Sequence, residues 1–154
     1  EKTMDNKEYL EKILYHKRPM VLLDDVAEFS VEEKKLKAVV TINEDCMFFD
    51  KSIKGVPSVT GIEYMAQAIG CYAFLSKNEE KPQIGFLLGT RLYNNAASKF
   101  ELGKTYTIVV KEAFTDEDIV SFDCFIYNEN EEEIASATVN TYQNENIEER
   151  FKNE

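Results

Sequence analysis

The chain has 154 residues, 44% of them hydrophobic, and 18 basic against 29 acidic side chains leave a net charge of −11. That length suffices for one domain with its own core, and the acidity argues against a nucleic-acid partner. No apolar run approaches the roughly 18 residues of a membrane span, no signal peptide opens the sequence, and Cys46, Cys71 and Cys124 suit neither a disulfide framework nor a zinc site, so a cytoplasmic protein without metal or cofactor and away from membranes is expected.

From about Asp5 to Tyr15 the residues Tyr9, Leu10, Ile13 and Leu14 fall on one side of a short amphipathic helix, and Pro19 ends that region. Met20 to Phe29 reads as a strand with an apolar start. Leu36, Ala38, Val40 and Ile42 alternate with other residues, which is a strand signature. A long helix is expected from about Ser58 to Lys77, broken by Asn78-Glu79-Glu80-Lys81-Pro82. Strands then follow at Gln83–Leu92, Thr105–Phe114, Val120–Tyr127 and Ile134–Tyr142, with Gly85 and Gly89 marking bulges or close approach. Tyr93, Asn94 and Asn95 are expected to form a turn. Residues 1–144 make a single domain, and the charged stretch 145–154 is expected to be frayed or disordered. The order predicts an α+β fold with one antiparallel sheet curled around a central helix. A second copy of the sheet would cover what remains of that helix.

The helix is the most informative stretch. From Ile62 to Leu75 apolar residues occupy every face, so the helix should be buried. Glu63 nevertheless stands near its start, with Gln67 one turn on and on the same face. A buried unpaired carboxylate is costly. The plain reading of Glu63 is a capping box with Thr60. The functional reading is a general acid or base, and the apolar surroundings favour it. Ser58 lacks the Gly-x-Ser-x-Gly elbow of a nucleophile and is better read as a helix start, whose N–H groups can polarise a carbonyl. His16, the only histidine, lies in a turn between helix and strand.

Two motifs resemble the hot-dog-fold 3-hydroxyacyl-ACP dehydratases. Leu14-Tyr15-His16-Lys17-Arg18-Pro19-Met20-Val21-Leu22-Leu23-Asp24 is similar to that family's Leu-Pro-His-Arg-x-Pro-x-Leu-Leu-x-Asp opening. Pro57 through Glu63 with Met65-Ala66-Gln67 is similar to its Pro-Gly-x-x-x-x-Glu-Ala-Met-Ala-Gln helix. Phe48-Phe49-Asp50, Gly55-Val56-Pro57, Gly61 to Gln67 and Ile84 to Arg91 resemble the ApeP-like branch associated with aryl polyene biosynthesis. The resemblance implies a dimeric hot-dog fold. It implies a dehydratase whose Glu63 is the catalytic acid and helps expel the 3-hydroxyl; His16, which matches a position outside the family's catalytic pair, is a second catalytic candidate only as the one imidazole in the sequence. It implies that backbone groups at Ser58 and Val59, with Gln67, Phe49 and Gly89, meet the substrate, and that Phe86, Leu87 and Leu88 line an acyl tunnel.

The family's Gly-His-Phe-Pro histidine is absent. Aligning back from Pro57 and Glu63 places Phe49 there, and Ser58 replaces the motif glycine. Three readings follow. The first is a dehydratase acting on a 3-hydroxyacyl group held by an acyl carrier protein. The second is a non-catalytic subunit that lends Glu63 to a composite site while a homologous subunit supplies the histidine; the assembly expected is a homodimer or a heterodimer with such a histidine-bearing homologue. The third is a hot-dog acyl thioesterase.

Overall fold

The computed structural model describes residues 6–14, 21–76, 86–116 and 119–142. The tail expected after Asn144 and the turn expected at His16 lie outside them. Helix α1 spans Asn6–Leu14, and strands β1 (Asp25–Ser30) and β2 (Lys35–Thr41) form the first hairpin. In β2 the residues Leu36, Ala38 and Val40 are buried while Lys35 and Lys37 alternate with them, as a strand with one covered face requires. The strand expected from Met20 is regular only from Asp25. Ahead of it the Asp24 N–H still donates to the Val39 carbonyl of β2 at 2.9 Å, and side chains hold the rest. Lys7 Nζ donates to the carbonyls of Val21 (3.0 Å) and Leu23, and the Leu22 N–H donates to Gln67 Oε1 at 2.9 Å.

Strand β3 (Gly55–Pro57) leads through a 3-10 turn (Ser58–Thr60) into helix α2 (Gly61–Ser76). Strands β4 (Phe86–Asn95), β5 (Lys99–Glu101), β6 (Thr105–Asp116), β7 (Ile119–Tyr127) and β8 (Glu133–Tyr142) complete the described elements. The main sheet has six strands in the order β1-β2-β6-β7-β8-β4, antiparallel throughout. The shift in register between Leu87 and Gly89 bears out the bulge read from that glycine. β3 and β5 form a separate two-stranded sheet, which the sequence did not announce because three residues are too few to show a period.

Helix α2 lies across the inner face of the sheet, so the α+β architecture is the expected one. Tyr64, Met65, Ala68, Ile69, Cys71 and Tyr72 are buried among sheet residues such as Ile108, Phe122 and Ile126. Burial of each large side chain contributes about 1.5–3 kcal/mol. Tyr72 packs edge-on between Phe29 and Phe122, at centroid distances of 5.8 and 5.5 Å. Helix α1 covers part of the outer side. A Cβ at Gly70 would come within 2.9 Å of Leu14 Cδ2, so α1 packs closely here and a larger residue would have to displace the end of the Leu14 side chain.

All-round burial is not complete within one chain. Ile62, Ala66 and Gln67 are partly open and Glu63 is exposed. The sheet covers one side of the helix, and α1 reaches only its later turns. Among the described residues no helix is long and apolar enough to cross a membrane.

Candidate active site

Pro57 has φ −56° and ψ 142°, so the chain enters the 3-10 turn from extended backbone. Thr60 therefore stands inside helical structure, and the capping box expected of Thr60 and Glu63 gives way to a cap at Pro57. The first N–H groups of such a turn, those of Ser58 and Val59, have no acceptor within it.

What fixes this start is β4. Tyr93 Oη donates to the Ser58 carbonyl at 2.6 Å, and Asn95 Nδ2 donates to Tyr93 Oη at 2.9 Å. A Cβ on Gly61 would collide with the Tyr93 hydroxyl and approach Ile126 Cδ1 to 3.1 Å. Glycine at 61 is thus what allows the phenol to lie against the helix. Burial pushes the Tyr93 hydroxyl pKa up, opposed in part by the hydrogen bond from Asn95. Tyr93, Asn94 and Asn95 are not the turn expected of them. They continue β4 past a register shift between Arg91 and Asn94, and Tyr93 and Asn95 brace the site. Only the paired arrangement of strand and helix reveals that role.

Glu63 stands in the first turn of α2, on an open cleft of about 600 Å³. Phe48, Phe49, Asp50, Pro57, Val59 and Thr60 share the cleft wall, with Lys51 at the same surface. Among the sequence-predicted residues, then, Glu63, Phe49 and Val59 are brought together, and Ser58 adjoins them in the chain. Val59 is 64% exposed and Phe48 40% exposed, so the cleft has an apolar rim open to solvent. No imidazole occurs among the described residues of the wall.

Among the described residues Asp50 is the one other carboxylate in the cleft. Its Oδ1 accepts from the Ser52 hydroxyl at 2.6 Å and from the Ser52 N–H at 2.9 Å. These bonds, the hydroxyl's first, hold its pKa below the ordinary carboxylate value. Asp50 therefore organises the 50–55 turn, where it also pairs backbone with Gly55.

The remaining predicted residues lie elsewhere or beyond description. Gln67 turns its amide oxygen to Leu22, bracing the segment before β1. Phe86, Leu87, Leu88 and Gly89 belong to β4, the edge strand paired with β8; their side chains are outside the described set. His16 lies outside it altogether.

Comparison with known proteins gives consistent results. A family model described as ApeP-like, ApeP dehydratase, matches residues 8–152. The 3-hydroxyacyl-[acyl-carrier-protein] dehydratase FabZ of Thiobacillus denitrificans is 39% identical over 85 residues, covering 52% of this chain and 57% of that protein. FabZ of Shewanella oneidensis is 41% identical over 88 residues, covering 55% and 56%. The chain thus spans about half the length of the curated relatives it matches. Among solved structures, a chain of the dehydratase heterocomplex ApeI:P from Xenorhabdus doucetiae is 28% identical with a TM-score of 0.80, covering 94% of this chain and 97% of that one. A mutant thioesterase from Pseudomonas aeruginosa reaches a TM-score of 0.66 at 10% identity, covering 92% and 94%, which is a likeness of fold alone.

Proposed function

The chain belongs to the ApeP-like family of dehydratases, and we propose that it takes part in removing water from a 3-hydroxyacyl thioester presented by an acyl carrier protein. The thioester carbonyl would accept from the N–H groups of Ser58 and Val59, which the Tyr93 bond to the Ser58 carbonyl holds in place. A base takes the proton from C2. The pair from that C–H bond forms the C2=C3 double bond as the C3–O bond breaks. Glu63 gives a proton to the departing hydroxyl, and water leaves.

The base comes from a second subunit in this reading. The observation that carries it is the open cleft itself: Glu63 and the helix start share a wall with Phe49, where the dehydratase motif has histidine, and no imidazole stands there among the described residues. Asp50 is already bound by Ser52 and is the weaker base for it. The exposed apolar rim of Phe48 and Val59 suits coverage by another subunit. That a similar chain occurs in a dehydratase heterocomplex supports a histidine-bearing homologue as that subunit. The exposed Lys51 beside the cleft suits an acidic carrier protein.

The test is an enoyl-absorbance assay on a 3-hydroxyacyl thioester, with the chain alone and with a co-expressed histidine-bearing homologue. The mixture should turn over at least ~10²-fold faster than the chain alone, the typical worth of a positioned base. Equal rates would defeat the composite site. Full activity of the lone chain with His16→Ala would also exclude His16 as the base.

A further inference from the structure

The bond from Tyr93 to the Ser58 carbonyl is the last link of a longer chain. The Ala97 N–H donates to Asn95 Oδ1 at 2.8 Å, Asn95 Nδ2 donates to Tyr93 Oη at 2.9 Å, and Tyr93 Oη donates to the Ser58 carbonyl at 2.6 Å. Both ends are backbone groups with one possible role, since an N–H only donates and a carbonyl only accepts. The Ala97 N–H therefore fixes the Asn95 amide, with its oxygen toward residue 97 and its nitrogen toward the phenol. The phenol oxygen receives that hydrogen, which leaves its own proton for Ser58. Every donor thus points the same way, from the loop between β4 and β5 toward the helix start. The loop is anchored in turn, because the Ala96 N–H donates to the Ile134 carbonyl of β8 at 2.8 Å.

The chain does not stop at the Ser58 oxygen. That carbonyl and the Val59 N–H are the two ends of one peptide unit, joined by amide resonance. A donor at the oxygen draws electron density from the nitrogen and makes the N–H at the far end a stronger donor. The Ser58 carbonyl accepts twice, from Tyr93 and from the Gly61 N–H. The Ser58 N–H belongs instead to the peptide unit of Pro57, which this chain of donors does not enter. Val59 is exposed on the cleft wall beside Glu63. Burial raises the Tyr93 pKa and the Asn95 bond works against that rise, so Asn95 makes the phenol the better donor.

We propose that Asn95 and Tyr93 are positioning residues that act on the reaction through the Ser58–Val59 peptide, making the Val59 N–H the stronger of the two donors to the thioester carbonyl. The proposal rests on the reading of the helix start as the carbonyl-polarising group of a dehydratase site. The carbonyl oxygen gains charge as the C2–H bond breaks. A strengthened donor therefore stabilises the transition state more than the bound substrate, and its effect falls on kcat and not on KM.

The first test needs no substrate. Tyr93→3-fluorotyrosine keeps the ring, the hydroxyl and its bonds but makes the phenol more acidic and so a stronger donor. In the NMR spectrum of this variant the Val59 amide nitrogen should move downfield while the Ser58 nitrogen stays in place. No movement at Val59, or equal movement at both, would overturn the relay. The second test is turnover of the chain assembled with the histidine-bearing homologue. One oxyanion donor is worth ~10²–10³ in kcat, and cooperative polarisation changes a hydrogen bond by ~10–30%, so Tyr93→Phe should lower kcat at least about twofold at unchanged KM. Asn95→Asp keeps the bond from Ala97 but turns the phenol proton away from Ser58, and should lower kcat in the same way. The fluorotyrosine variant should exceed the wild-type kcat, a gain that a purely structural brace does not produce. A fluorotyrosine kcat at or below wild type, or losses carried by KM, would return both residues to bracing. If no preparation turns over a 3-hydroxyacyl thioester, the dehydratase reading fails, and the amide shifts alone decide the relay.

Discussion

Glu63 touches solvent and the cleft, so replacing it removes a proton donor and little packing. Glu63→Gln should cut turnover of the assembled enzyme by ~10²–10⁴-fold, with a melting temperature close to wild type. Activity retained alongside a clear loss of stability would return Glu63 to a structural role. The thiols give an independent residue-scale check. Burial pushes Cys71 and Cys124 up to about 12, while Cys46 is only half-buried. Native protein at neutral pH should therefore release one equivalent of aromatic thiolate from a disulfide reagent quickly, and three only in denaturant. Asp50 supplies a pH signature. Its folded pKa is depressed by Ser52, so any stability it contributes is complete above the unfolded carboxylate value and lost as pH falls through the lower folded one. Ser52→Ala should move the Asp50 midpoint in an NMR titration back up toward 3.8, its ordinary value. An unmoved midpoint would show that the serine hydroxyl is not the cause.

At the scale of elements, the start of α2 depends on the end of β4. Tyr93→Phe removes the donor to the Ser58 carbonyl and the acceptor for Asn95. It should cost about 1–2 kcal/mol in chemical denaturation and loosen the N–H groups of the helix start. Gly61→Ala forces a methyl into the Tyr93 hydroxyl and toward Ile126. It should destabilise by about 1–3 kcal/mol, and because both changes act on one contact their effects should fall short of additive. Full additivity would mean that the close approach does not matter. The strands themselves were legible beforehand. Leu36, Ala38, Val40 and Ile42 alternate in sequence and all four are buried in the structure. The Tyr93 contact was not, since it joins residues 35 positions apart and neither shows any local period.

For the whole molecule, the open cleft and the partly uncovered face of α2 predict association. Light scattering of the pure chain, or of the chain with a histidine-bearing homologue, should give at least a dimer. Val59→Asp should weaken it, because Val59 is the most exposed apolar residue on the cleft wall. A monomer at all concentrations in both preparations would defeat the composite site. The net charge of −11 adds that carrier binding should be local and salt-dependent. Lys51→Glu should weaken it more at low ionic strength than at high.

The sequence by itself determined the sheet, the long helix and the position of Glu63 at that helix's start. Each rests on a local cause: a period of two, apolar residues on successive turns, a turn of Pro and Ser before a helix. The tertiary structure alone decided how exposed Glu63 is, that Tyr93 clamps the helix start, and that Gln67 faces Leu22 instead of the cleft. Those outcomes depend on which distant segments close over a given side chain. Hydrophobic pattern tells a residue which side of its element is covered, not by what, so contacts between remote parts of the chain become fixed only when sheet and helix pack.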